Sequence, residues 1–96
     1  MAQKLSGKVA LVTGASSGIG RALAVALAAE GVNLVLVGRA NDRLQGVAEK
    51  LSGVETLVLP ADLSKPADVE RVAADALKRF GRIDILLANA GLYVPG

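Results

Sequence analysis

The chain of 96 residues contains no cysteine and no histidine. Without thiols there is no disulfide framework, thiolate nucleophile or cysteine-based metal site. Without imidazole, a zinc site would have carboxylates alone, a poor donor set for that ion. Aromatic side chains are nearly missing, with one Phe, one Tyr and no Trp. The core must be built from Leu, Val, Ile and Ala, which suits helices packed closely on a sheet. Excess charge of one sign is missing too: 11 Lys and Arg against 9 Asp and Glu leave a net charge of +2. That balance gives no footing for nucleic acid or an anionic membrane surface as a partner. The longest apolar run, residues 22–29, is far below the ~20 residues that span a bilayer. Residues 1–8 lack the apolar centre of a secretory signal. These absences predict a cytoplasmic protein.

What is present is a patterned, core-forming sequence. Apolar residues make up 52% of the chain and charged residues 21%, enough to bury the core of one small domain. Val9-Ala10-Leu11-Val12 is a short apolar run fit for a strand buried on both faces. Ile19, Leu23, Ala26 and Leu27 recur at helical spacing and Gly31 closes that helix. Residues 32–37 read as a second strand. Leu44, Val47, Ala48 and Leu51 form a second helical stripe, with Asn41 or Asp42 as N-cap and Gly53 as the stop. Residues 56–59 make a third strand, ended by Pro60. Ser64 is the expected N-cap of a third helix, with Pro66 in its first turn and an apolar stripe from Val69 to Phe80. Gly81 ends it, and residues 83–88 read as a fourth strand.

The order βαβαβαβ with short, right-handed connections predicts a doubly wound parallel α/β sheet. Its strand order is expected to be 3-2-1-4, with the switch point between the first and fourth strands. The fourth strand then lies on an open edge. It is almost wholly apolar, with Asp84 its single charge, whereas natural edges are shortened, charged or given a proline. It reads as an interior strand, implying either the first half of a larger domain or an edge covered by another chain.

The turn after the first strand, Thr13-Gly14-Ala15-Ser16-Ser17-Gly18-Ile19-Gly20, carries the chemistry. A strand, a tight glycine turn and a helix start present free backbone N–H groups and the positive end of a helix dipole to an anion. Gly14 permits the turn, and Gly18 and Gly20 open the helix toward phosphates. Ser16, Ser17 and Ile19 add N–H groups and hydroxyls. An ordinary strand–helix turn is the alternative. A P-loop is excluded, because Arg21-Ala22 follow Gly20 where Lys and Ser/Thr are required.

The spacing G-x-x-x-G-x-G, with Arg39 at the end of the second strand, Asp62-Leu63 after the third and Asn89-Ala90-Gly91 after the fourth, resembles the classical short-chain dehydrogenase/reductase family. The resemblance runs through essentially the whole chain. It implies a Rossmann-like fold, residues 1–96 being the N-terminal half of a dinucleotide-binding domain whose catalytic half is absent from the sequence. It implies an oxidoreductase interconverting a secondary alcohol and a ketone, with a small-molecule substrate and homo-oligomers. By the same resemblance Asp62 lies near the adenine ring, unless it merely caps the following turn with Ser64. Asn89 matches the second Asn of the family's Asn-Asn-Ala-Gly motif, with Ala88 departing at the first position. That Asn helps hold the central sheet, and the adjacent backbone lines the cofactor ribose.

Arg39 bears on the cofactor. An NAD site places a carboxylate after the second strand to accept from ribose hydroxyls, whereas a guanidinium pairs with a 2′-phosphate. Arg39, with the Ser16 hydroxyl, favours NADP(H). NAD is the alternative, in which Arg39 is solvated and Asp42 serves the ribose. Residues 89–94 resemble ribitol-type polyol dehydrogenases, pointing to a sugar alcohol or related hydroxyl compound. The family's Tyr-x-x-x-Lys pair and Ser are not found. Tyr93 is the single tyrosine and reads as a loop residue bordering the pocket. A non-catalytic nucleotide-binding half-domain, or a fragment that pairs through its open strand, are the competing readings.

Overall fold

The computed structural model describes residues 5–88. Seven elements alternate: β1 (Val9–Thr13), α1 (Gly18–Ala29), β2 (Asn33–Gly38), α2 (Asn41–Glu49), β3 (Thr56–Pro60), α3 (Pro66–Phe80) and β4 (Ile85–Ala88). The strands form one parallel sheet in the order β3-β2-β1-β4. This is the expected doubly wound arrangement. β4 begins two residues later than its apolar run suggests, because Asp84 turns its side chain to β1 instead of extending the ladder. The site motif Asn89-Ala90-Gly91, and Tyr93, lie outside the described residues.

The handedness of the connections divides the core. The steps from β1 to β2 and β2 to β3 run the same way, placing α1 and α2 on one face. The return from β3 to β4 puts α3 on the other. Alternate strand residues follow suit. Ala10, Val12, Leu34 and Leu36 are buried with Ala24, Leu44 and Val47 under α1 and α2. Val9, Leu11, Val35 and Val37 are buried with Val72 and Ala76 under α3. Strands covered on both faces need continuous apolar runs, which is what β1 and β2 have.

Two helix starts differ from the sequence expectation. The N-cap of α2 is Ala40, with no side-chain cap bond, so neither Asn41 nor Asp42 caps it. The N-cap of α3 is Lys65, with Pro66 at the first position. Ser64 instead donates its hydroxyl to Asp62 Oδ1 at 2.7 Å, a charge-assisted bond to a carboxylate, and no side-chain cap bond is made at the start of α3. The C-terminus of α3 behaves as expected. Gly81 takes φ +79°, a left-handed conformation that glycine adopts without a Cβ penalty.

β4 is fastened to the sheet at its entrance. The Val9 N–H donates to Asp84 Oδ2 at 2.9 Å, and the Asp84 N–H donates to the Val9 carbonyl at 2.8 Å. Arg82 donates to the other carboxylate oxygen at 2.8 Å. The Arg82 bond, followed by that from Val9, holds the Asp84 carboxyl below the usual carboxylate range. A carboxyl lowered on folding stabilises the fold fully above its unfolded value of 3.8 and loses that contribution as pH falls through the folded value. Asp84→Asn should therefore lower the thermal midpoint at neutral pH. The gap from the parent chain should close in acid below the unfolded value. Calorimetry at the two pH values checks this, and a gap equal at both would remove the carboxylate from the account.

The outer face of β4 is bare. Ile85 and Leu87 pack toward the core beneath α1, while Leu86 points the other way and is 64% exposed. On the same side of the sheet, α3 leaves Val69 and Leu77 about half exposed. Among the described residues no helix is long and apolar enough to cross a membrane.

Candidate functional site

A cavity of about 660 Å³ opens at the C-terminal ends of β1, β2 and β3. That size suits a small molecule or cofactor, and its position is the crevice where open parallel sheets bind ligands. Its first wall is the turn into α1. Gly14 holds φ +62°, which lets the chain leave β1 sharply. The Ala15 N–H donates to the Val37 carbonyl at 3.1 Å and pins the turn to β2. Ser17 is the N-cap: its hydroxyl accepts from the Gly20 N–H at 3.4 Å and donates to the Gly14 carbonyl at 2.7 Å. The Gly18 and Ile19 N–H groups belong to the first helical turn, which has no intrahelical acceptor for them. A Cβ built on Gly18 meets nothing within 4 Å, so this side of the turn faces open space.

The second wall follows β2. Gly38 ends the strand, and a Cβ there would lie 3.3 Å from Leu44 Cδ2 and 3.7 Å from Ser16 Oγ. Glycine at this position allows α2 and Ser16 of the β1–α1 turn to approach the end of β2. Arg39 follows directly, exposed at the cavity rim, and Arg43 lines the cavity from α2. The floor beyond β3 is apolar, from Ala61 and Leu63. The Ala61 N–H donates to the Gly38 carbonyl at 2.8 Å and ties floor to wall.

Of the predicted site residues, Gly14, Ser16, Ser17, Gly18, Ile19, Arg39 and Leu63 line this one cavity. Gly20 does not: it is buried in the first turn of α1, where its N–H donates to the Ser17 hydroxyl. Asp62 stands between two lining residues, but its carboxylate is turned into a local hydrogen-bonded turn. Its Oδ1 accepts from the Ser64 N–H at 3.0 Å and from the Ser64 hydroxyl at 2.7 Å. The hydroxyl bond, then the N–H bond, holds this carboxyl below the usual range, with smaller help from Arg39 and Lys65. Of the two functions weighed for Asp62 from sequence, the one seen here is the local turn with Ser64, and Asp62 itself is not among the lining residues. Asp42 sits on α2 and does not line the cavity. Among the described residues no group of carboxylates is arranged to hold a metal ion.

Sequence reasoning missed Gly38, Ala40, Arg43 and Ala61 as lining residues. For Arg43 the one signal in the chain was its nearness to Arg39, since the first turn of a helix that begins right after β2 stays beside the end of that strand. The two alanines have no chemical signature and are at the wall only because of the fold.

The sequence profile described as short chain dehydrogenase matches residues 8–96. The 1,6-dihydroxycyclohexa-2,4-diene-1-carboxylate dehydrogenase of Pseudomonas putida is 50% identical over 92 residues, covering 95% of this chain and 34% of that protein. L-sorbose reductase from Gluconobacter frateurii, solved with NADPH and L-sorbose, is 42% identical. It superposes with a TM-score of 0.92 over 100% of this chain and 38% of its own. The 3-ketoacyl-(acyl-carrier-protein) reductase from Brucella melitensis, solved with NADH, is 43% identical. Its TM-score is 0.81, over 86% of this chain and 34% of its own. The chain spans about a third of the length of the curated relatives it matches.

Proposed function

This chain belongs to the classical short-chain dehydrogenase/reductase family, and on that premise we propose that it is the NADP(H)-binding portion of an oxidoreductase that interconverts a secondary alcohol and a ketone. The observation that carries the cofactor choice is Arg39. A guanidinium stands at the cavity rim directly after β2, where an NAD site uses a carboxylate.

The chain's own residues fit such a cofactor. Gly14 and Gly18 let the pyrophosphate approach the backbone, and the Gly18 and Ile19 N–H groups donate to it. Arg39 and the Ser16 hydroxyl take the ribose 2′-phosphate. Ile19, 59% exposed at the mouth, joins Ala61 and Leu63 in excluding water from the adenosine. Asp62 has both of its bonds on Oδ1, which leaves Oδ2 to accept from the adenine amino group. Asn89, Ala90 and Gly91 border the nicotinamide ribose in this reading. The chemistry a bound nicotinamide supplies is hydride transfer to or from the substrate carbon. Acid/base work falls to the family's Tyr-x-x-x-Lys pair and Ser in a longer protein.

The bare outer face of β4, with Leu86 in solvent, supports reading the 96 residues as the first half of a Rossmann domain. In the longer protein a further strand and helix cover that face, and copies associate as homo-oligomers. Polyols or sugars are the favoured substrate class: residues 89–94 resemble polyol dehydrogenases, and L-sorbose occupies one structural relative. Fluorescence titration of the protein with NADPH and NADH tests the cofactor reading. NADPH should bind at least ~10-fold more tightly, the worth of one charge-assisted contact. Equal affinities, or no binding of either, would refute it.

A further inference from the structure

The floor of the cavity is made by the short connection between β3 and α3, and two side chains of α3 hold that connection in place. Residues 61–64 join Pro60 at the end of β3 to Lys65, the N-cap of α3. Ala61 and Leu63 line the cavity, and Asp62 between them does not. The backbone around Asp62 is tied on both sides. The Asp62 N–H donates to Asp68 Oδ2 at 2.7 Å, and the Asp62 carbonyl accepts from the Lys65 N–H at 3.0 Å. Arg71 donates to the Pro60 carbonyl at 2.9 Å and lies 3.7 Å from Asp68 Oδ1.

The partner that Asp68 takes is the informative feature. It is the third residue of α3, where an acidic side chain commonly reaches back to the N–H of the N-cap. Here the Lys65 N–H is occupied by the Asp62 carbonyl, and the Asp68 carboxylate extends past it to the Asp62 N–H. That bond is charge-assisted, and the Asp68 side chain is only 27% exposed. Arg71 stands three residues further along the same helix face and braces the carboxylate. The Ala61 bond to Gly38 fixes where the connection leaves the sheet. Asp68 and Arg71 fix where it goes next.

We propose that Asp68, braced by Arg71, is a positioning residue for ligand binding, holding the backbone of residues 61–63 so that Ala61 and Leu63 face the adenosine of the cofactor. The identity of that ligand rests on the cofactor reading above. Neither Asp68 nor Arg71 lines the cavity, so both act through the backbone. A floor already held in its bound shape spares the ligand the cost of ordering it. Adenosine is common to NADPH and NADH. Asp68 therefore sets the affinity for both, and the choice between them stays with Arg39.

The test compares the parent protein with Asp68→Ala, Asp68→Asn and Arg71→Gln, each kept below its melting temperature as followed by circular dichroism. Fluorescence titration gives the NADPH and NADH dissociation constants, and amide hydrogen exchange reads the Asp62 N–H. Asp68→Ala should weaken both nucleotides about 10-fold, with their ratio within about 2-fold of the parent's. Exchange at Asp62 should speed up by about the same factor, while the buried Val72 in the interior of α3 changes less. Asp68→Asn should restore most of the affinity, because its amide oxygen still accepts from the Asp62 N–H. Arg71→Gln should weaken both nucleotides about 3-fold. If Asp68→Ala lowers the melting temperature and leaves both affinities unchanged, its role is stability alone and the inference is overturned. A loss confined to NADPH overturns it too, since the ribose phosphate and not the floor would then be affected. The same follows if Asp62 exchanges equally fast in parent and Asp68→Ala. If the parent binds neither nucleotide while Asp62 exchange rises in Asp68→Ala and not in Asp68→Asn, the cofactor reading fails and the positioning of the floor survives.

Discussion

Arg39→Asp is expected to weaken NADPH binding on the order of 100-fold or more and to leave NADH binding equal or improved. Two effects add. The variant loses a charge-assisted guanidinium–phosphate contact, worth about 1.5–3 kcal/mol. It also sets a carboxylate against the 2′-phosphate, and like charges brought together at a binding site cost several kcal/mol. At about 1.4 kcal/mol per factor of ten, either effect alone reverses a modest preference. NADH has no 2′-phosphate to repel, and the new carboxylate accepts from its ribose hydroxyls. Arg39 is exposed and makes no ion pair among the described residues, so its replacement leaves the core untouched. The measurement is the ratio of NADPH to NADH dissociation constants for parent and variant. An unchanged ratio would take Arg39 out of cofactor choice.

Leu44→Ala should have the largest effect on stability. Leu44 is fully buried in α2 and belongs to the core beneath α1 and α2. It also packs under Gly38, the last residue of β2, at the point where a Cβ would already be close. A leucine truncated to alanine at such a site loses about 2–5 kcal/mol, because the lost transfer energy is joined by the cost of the cavity. A domain of this size holds about 5–15 kcal/mol in all. The thermal midpoint should fall by roughly 10–30 °C, at about 4–8 °C per kcal/mol. The variant should also bind cofactor less tightly while still folded, since Leu44 fixes α2, and with it Arg43, against the end of β2. Thermal melts followed by circular dichroism check the first effect. A drop of only a few degrees would mean that the site collapses around the alanine and that α2 is held by other contacts.

The two variants divide the site into chemistry and support. Arg39 is legible in the chain because its meaning is local: a cation two residues beyond an apolar run, at a strand end that borders the crevice. Leu44 is legible as core from its helical stripe, but its contact with Gly38 is not, because the residues meet only after α2 folds back on β2. Arg43 shows the same limit. In one dimension it is one charge among several on a polar helix start. In three dimensions it lines the cavity from α2.

Much of the architecture was written in periodicity. Runs without alternation identify β1 and β2 as strands covered on both faces, and right-handed crossovers then leave one strand order for four parallel strands. The glycine spacing after β1 states where an anion can approach the backbone, since glycine's freedom is a property of the residue and not of its neighbours. Competition among hydrogen-bond partners was not written there. Ser64 is a good N-cap by type, yet its hydroxyl goes to Asp62 and α3 starts from Lys65. Asn41 and Asp42 are likewise good caps by type, and the chain enters α2 through Ala40. Local side-chain preferences of this size are about 1 kcal/mol, small enough for tertiary packing to overrule. The sequence by itself determined the order of elements, the glycine turn at which an anion can approach the backbone and the cation that follows β2. Only the tertiary structure decided which walls close the cavity and which cations reach it, because those depend on distances between elements that no local pattern encodes.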